Sequence, residues 1–88
     1  MLRLVKTCLA CPEQYDVYLG DEKIGYMRLR HGWFRAEYKE EVVYGTKTNG
    51  DGYFEDDERD YHLHKACAAI LLAHKGIGGT LYSIEEDD

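Results

Sequence analysis

Three groups of residues have the types and spacing to do chemistry. The first is Cys8-Leu9-Ala10-Cys11, a Cys-x-x-Cys pair, joined further along by His64-Lys65-Ala66-Cys67. Cys8, Cys11, His64 and Cys67 together would make a closed three-cysteine, one-histidine zinc site. The same residues have a plainer reading. Cys8 and Cys11 would then be free thiols at a strand end, and Cys67 would be a small apolar side chain in the middle of a helix stripe.

The second group is the segment from Lys47 to Glu58, which follows the pattern of an EF-hand calcium loop. With Lys47 as the first position, Asn49, Asp51, Glu55 and Glu58 fall where oxygen ligands are needed, and Gly52 falls at the sharp turn. Lys47 breaks the pattern, because an ammonium cannot ligate Ca²⁺ and repels it. The segment leading in also reads as strand, not helix. A Gly-rich turn feeding an acid-capped helix accounts for the same residues.

The third group is basic. Between Lys23 and Lys39 five basic residues stand against one acid, a local +4 in a chain whose net charge is −6. If His31-Gly32 is a two-residue hairpin loop, the register follows. Arg30 then opposes Trp33, Arg28 opposes Arg35, and Tyr26 opposes Glu37. Tyr26, Arg28, Arg30, Trp33 and Arg35 share one face, while Met27, Leu29, Phe34 and Ala36 share the other. Opposed like charges destabilise a sheet by an amount within the ~0.2–1 kcal/mol scale of cross-strand pairs. Such a face suits an anionic partner, either an acidic protein or nucleic-acid phosphates with Trp33 and Tyr26 available for stacking. The plainer reading is self-neutralisation by the acidic tail or a second subunit, or simple solvation with Arg30 stacked on Trp33.

The elements that must position these groups follow from periodicity. Leu2 and Leu4 alternate with Arg3 and Val5 as in a short strand, and Tyr15, Val17 and Leu19 line one face of another. Lys23 to Arg30, Trp33 to Tyr38 and Val42 to Thr46 read as further strands, and Leu81 to Ile84 as a last edge strand. Leu63, Ala66, Cys67, Ile70, Leu71 and His74 fall on one helical face. That helix starts near Asp57, capped by Asp56 or Asp57, and Gly76 suits its end. His74, on the apolar side, reads as a core-edge histidine. The expected architecture is α+β. An antiparallel meander of about four strands packs on one long C-terminal helix, and a short edge strand follows. Residues 1–84 form one domain and 85–88 an acidic tail.

Composition bounds the rest. At 88 residues, 44% hydrophobic and 32% charged, the chain has room for one modest core. Its longest apolar run, Ala66 to Ala73, is too short to span a bilayer, and the N-terminus lacks the apolar stretch of a signal peptide. The expectation is a cytoplasmic protein without a membrane partner. Three cysteines, an odd number, do not suggest a disulfide scaffold. No Gly-rich phosphate loop, nucleophile elbow or His-Glu-x-x-His stands in the sequence, so the chain reads as non-enzymatic.

The segments Cys11-Pro12-Glu13-Gln14-Tyr15-Asp16-Val17, Ile24-Gly25-Tyr26-Met27-Arg28-Leu29-Arg30-His31-Gly32 and Gly50-Asp51-Gly52-Tyr53-Phe54 resemble small uncharacterised proteins of phages and prophages. The resemblance spans roughly residues 3 to 72. It implies an accessory protein that binds a host protein or DNA. Inhibitors that mimic DNA with acidic surfaces belong to that class, and the acids from Asp51 to Asp60, with the tail, could serve one. The sequence therefore points to a small acidic binding module, a candidate homodimer, that contacts a protein through the Arg/Trp/Tyr face. The alternatives are a nucleic-acid-binding sheet, a zinc- or calcium-stabilised domain, and an acidic DNA mimic.

Overall fold

The computed structural model describes residues 2–7, 12–75 and 82–86. The elements in chain order are β1 (Leu2–Lys6), β2 (Glu13–Leu19), β3 (Glu22–Arg30), β4 (Trp33–Tyr38), β5 (Glu41–Lys47), α1 (Asp56–Lys75) and β6 (Tyr82–Glu86). They build a six-stranded sheet in the order β5-β4-β3-β2-β1-β6. The first five strands form an antiparallel meander, one strand longer than about four because β1 joins it. Leu2 and Leu4 seat β1 in the core, where both are fully buried. β6 adds parallel to β1, pairing Leu2 with Tyr82 and Val5 with Glu85. The first acids of the C-terminal run therefore lie in the sheet.

Alternation decides which face is covered. Leu4, Tyr15, Val17, Met27, Leu29, Phe34 and Ala36 are buried on the helix side, where they meet Leu63, Ala66, Cys67 and Ile70 of α1. Phe34 and Phe54 pack edge to face at 4.8 Å between ring centroids. Gly25 sits at an irregularity opposite Val17, where a Cβ would lie 2.6 Å from the Glu37 carbonyl oxygen and 3.3 Å from Ile70. The β4 carbonyl stands too close there for any side chain, and the end of the Ile70 side chain crowds the same spot from α1.

Two turns are left-handed at both central residues. His31 and Gly32 have φ of 55° and 71°, and Lys39 and Glu40 have φ of 47° and 73°. Two-residue hairpin loops favour this conformation because its twist matches that of the strands. Asn and Gly adopt it readily. Lys and Glu do so against a cost of ~1–2 kcal/mol per residue.

The core also holds an ion pair. The Glu13 carboxylate is fully buried and accepts Arg59 Nε at 2.9 Å, the Phe54 amide at 3.0 Å and the Tyr15 hydroxyl. Burial pushes the Glu13 pKa up, but the Arg59, Tyr15 and Phe54 bonds outweigh it and hold the group below the ordinary carboxylate range. A second carboxylate, Glu58, accepts the amides of Asn49, Gly50 and Glu55 at 2.8–2.9 Å. Its bond to the Glu55 amide is half of a capping box, reaching back from the third helical residue to the residue before the helix. Burial raises the Glu58 pKa as well, and the three amides again outweigh it.

Replacing Lys39-Glu40 by Asn-Gly should raise unfolding free energy by about 1–2 kcal/mol, read from urea midpoints at unchanged m-value. Glu13→Gln should cost about 3 kcal/mol, the low end of the range for a broken buried pair, because Arg59 keeps partial access to water. Both carboxylates titrate lower in the folded state than in the unfolded one. Their stabilisation is therefore complete above about pH 5 and is lost as pH falls through their folded-state values. Acid titration of the melting temperature should show a loss below that point, and the loss should be smaller in Glu13→Gln.

Candidate binding face

The face of the sheet away from α1 is open. Its strands contribute Arg3, Gln14, Asp16, Tyr18, Tyr26, Arg28, Arg30, Trp33, Arg35, Glu37 and Lys47 by alternation and register. Arg30 opposes Trp33, Arg28 opposes Arg35 and Tyr26 opposes Glu37, as the hairpin at His31-Gly32 predicts.

Most of this face neutralises itself. Arg3 lies 3.2 Å from Glu85 and stacks over the Tyr18 ring. Lys23 pairs with Asp16 at 3.1 Å, and the Tyr26 hydroxyl donates to Gln14 at 3.1 Å. One corner is different. Among the described residues no carboxylate pairs with Arg28, Arg30 or Lys47. Arg30 Nε faces His31 Nε2 at 3.3 Å. Arg35 Nε stands 3.0 Å from Glu37, an ion pair by distance, but its N–H does not point at the oxygen and makes no hydrogen bond.

Arg28, Arg30, His31, Trp33 and Arg35 surround a shallow depression of about 140 Å³. Trp33 is 48% exposed. Its indole rests on Gly45, where an added Cβ would come within 3.0 Å of the ring. The missing side chain in β5 makes the seat on which the indole lies. Lys47 opposes Trp33 at the sheet edge and extends the cationic corner. Sequence reasoning missed Lys47 and Gly45. The signal for both was the β4–β5 register, which depends on a Lys-Glu turn that composition does not announce.

The hairpin tip is held from outside the sheet. The Gly32 amide donates to the Asp51 carbonyl at 2.8 Å, and the Thr48 amide donates to the Gly32 carbonyl at 2.9 Å. The 48–55 loop is in turn fixed by Glu58 and Glu13.

The other sequence-derived residues fall as follows. Cys8 and Cys11 lie outside the described residues. Cys67 is fully buried in the core, its thiol pushed up to about 12 by burial. His64 flanks the helix, 3.2 Å from Asp60 and edge-on to Tyr82. In the 47–58 segment, Glu58 is surrounded by amide donors and Asn49 contributes one of them, a polarity that suits an anion and opposes a cation. Asp51 and Glu55 are exposed. Among the described residues no three His, Cys, Asp or Glu side chains stand close enough together to hold a metal ion. His74 shares a hydrogen bond of 2.8 Å with the Tyr38 hydroxyl at the core edge. No described helix is long and apolar enough to cross a membrane.

No family model, curated protein or solved structure matches the chain.

Arg28 faces Arg35 across the β3–β4 pair, and among the described residues Glu37 pairs with Arg35 while no carboxylate pairs with Arg28. Arg28→Thr should therefore raise stability by about 0.2–1 kcal/mol. Added NaCl should stabilise the parent more than this variant, as read by melting temperature across a salt series.

Proposed function

We propose that the chain is a non-enzymatic binding module, of the accessory kind found in phages, that docks an acidic protein partner on the Arg28, Arg30, Trp33 and Arg35 corner of its open sheet face. The observation that carries this reading is the contrast within one surface. Arg3 and Lys23 are each paired with a carboxylate, while Arg28, Arg30 and Lys47 have none among the described residues. The sequence has acids to spare, 17 against 11 basic residues. An arginine fork binds a carboxylate through two parallel bonds, and an adjoining indole adds apolar area of the kind that anchors protein interfaces.

A protein partner fits better than a nucleic acid. The net charge of −6 repels a polyanion as a whole, whereas a short acidic segment meets only the local cationic field. Strand-tracking surfaces present successive stacking rings. Here Tyr18 is covered by Arg3 and Tyr26 is half-buried with its hydroxyl bonded to Gln14, so Trp33 is the most exposed ring on this face among the described residues.

The test is affinity capture from a host lysate with the native chain and with a Trp33→Ala, Arg28→Glu double variant. The variant should melt within a few degrees of the parent and lose the captured protein. Equal recovery by both overturns the proposal. Retention of the parent on immobilised DNA or RNA, falling steeply as salt rises, would replace it with the nucleic-acid reading.

A further inference from the structure

Three guanidiniums converge on one small depression at the β3–β4 hairpin. Arg28 and Arg35 oppose each other across the strand pair, and Arg30 stands roughly 7 Å further along the strand on the same face. With His31 and Trp33 they line the depression of about 140 Å³. Each guanidinium keeps donors open. Arg30 gives its Nε to His31 Nε2 at 3.3 Å, and among the described residues its terminal nitrogens make no hydrogen bond. Arg28 makes none there either. Arg35 Nε is buried without a hydrogen bond, 3.0 Å from Glu37.

Charge decides what such a site takes. Three guanidiniums against the one carboxylate of Glu37 leave two positive charges, and Lys47 adds a third at the rim. A carboxylate brings a single charge and two oxygens, and it occupies one arginine fork. A phosphoryl monoester brings about −1.5 to −2 at neutral pH and three strong acceptor oxygens. It balances the corner with one group.

Volume and the neighbouring surface decide how that group arrives. Sites that enclose a free small molecule run to about 300–1,000 Å³, so a depression of about 140 Å³ takes a group carried on something larger. On the other side of the hairpin tip a second depression, of about 220 Å³, shares Arg30 and His31 but is walled by Pro12, Asp51 and Gly52. Asp51 is exposed, and among the described residues no cation pairs with it. A run of carboxylates crossing both depressions sets like charge against Asp51. The negative charge is therefore best delivered at one point, not spread along a segment.

We propose that the acidic group taken by this corner is a phosphorylated side chain of the partner protein. The phosphoryl oxygens lie among Arg28, Arg30 and Arg35, the carbon portion of the residue packs on the open indole of Trp33, and uncharged residues of the partner continue past Arg30 toward Gly52. This rests on the docking reading of the face and specifies its ligand. Arginine clusters that read phosphorylated motifs use the same chemistry.

Trp33 is the single tryptophan of the chain, so its fluorescence reports on this corner. Titrations of the native chain at constant ionic strength, followed by Trp33 emission and by proton–nitrogen NMR spectra, test the proposal. A short peptide with one phosphoserine among glycines and alanines should bind about tenfold or more tightly than its single-glutamate counterpart. It should also outbind a peptide with three consecutive glutamates, which carries more charge. Arg28→Gln should weaken the phosphoserine peptide by about tenfold or more, while Lys23→Gln, at a cation already paired with Asp16, should leave its affinity unchanged. Phosphatase treatment of the lysate should abolish capture of the partner by the native chain. Equal affinity for the phosphoserine and glutamate peptides, tighter binding of the triple glutamate, or undiminished capture after phosphatase overturns the proposal and leaves the acidic-partner reading in place. Tighter binding of adenosine monophosphate than of the phosphoserine peptide overturns it and assigns the corner to a free nucleotide. Absence of phosphoserine-peptide binding by both readouts overturns it too, and capture by the untreated lysate then decides the docking reading separately.

Discussion

The buried carboxylate of Glu13 is the constraint on which the rest of the molecule depends. It begins β2, and through its own amide it also donates to the Gly52 carbonyl at 2.8 Å. Its oxygens hold the Phe54 amide and the Arg59 guanidinium, so one side chain joins the sheet, the loop before α1 and the first turns of the helix. A buried ion is tolerable only when every lone pair is used and a counter-ion is present. Here Arg59, Tyr15 and the Phe54 amide meet that requirement together.

The consequence extends to the open face. The loop that Glu13 and Glu58 fix is the one that clasps Gly32 at the tip of the β3–β4 hairpin. That tip carries Arg30, His31 and Trp33. A hairpin end free in solvent would present these side chains in many directions, and ordering them on binding would cost conformational entropy. The clasp holds the tip in one conformation beforehand, which is the condition for a cationic corner to act as a site.

The molecule sorts its surfaces by physical character. The sheet face away from the helix is polar and largely self-paired, with one cationic corner left uncompensated. The helix face away from the sheet exposes Tyr61 and Leu72 on either side of the small Ala68, beyond an acidic first turn. Both depart from what a solvated surface needs, and in opposite ways. The first keeps charge without counter-charge, and the second exposes hydrocarbon in a chain rich in ionisable residues. The two lie on opposite sides of a two-layer domain.

Local pattern was enough for the α+β class, the placement of α1, the apolar set Met27, Leu29, Phe34 and Ala36, and the Arg28–Arg35 and Arg30–Trp33 register. Each of these follows from a period of two or 3.6 residues and from a turn with a glycine in it. Interactions between residues far apart in sequence left no such mark. The Lys39-Glu40 reversal has no glycine or asparagine to signal it, because strand pairing forces its left-handed backbone. The parallel placement of β6 beside β1, the Glu13–Arg59 pair and the seat of Trp33 on Gly45 all depend on which strands become neighbours. Neighbourhood in a sheet is decided by global packing of the core, and only the tertiary structure expresses that.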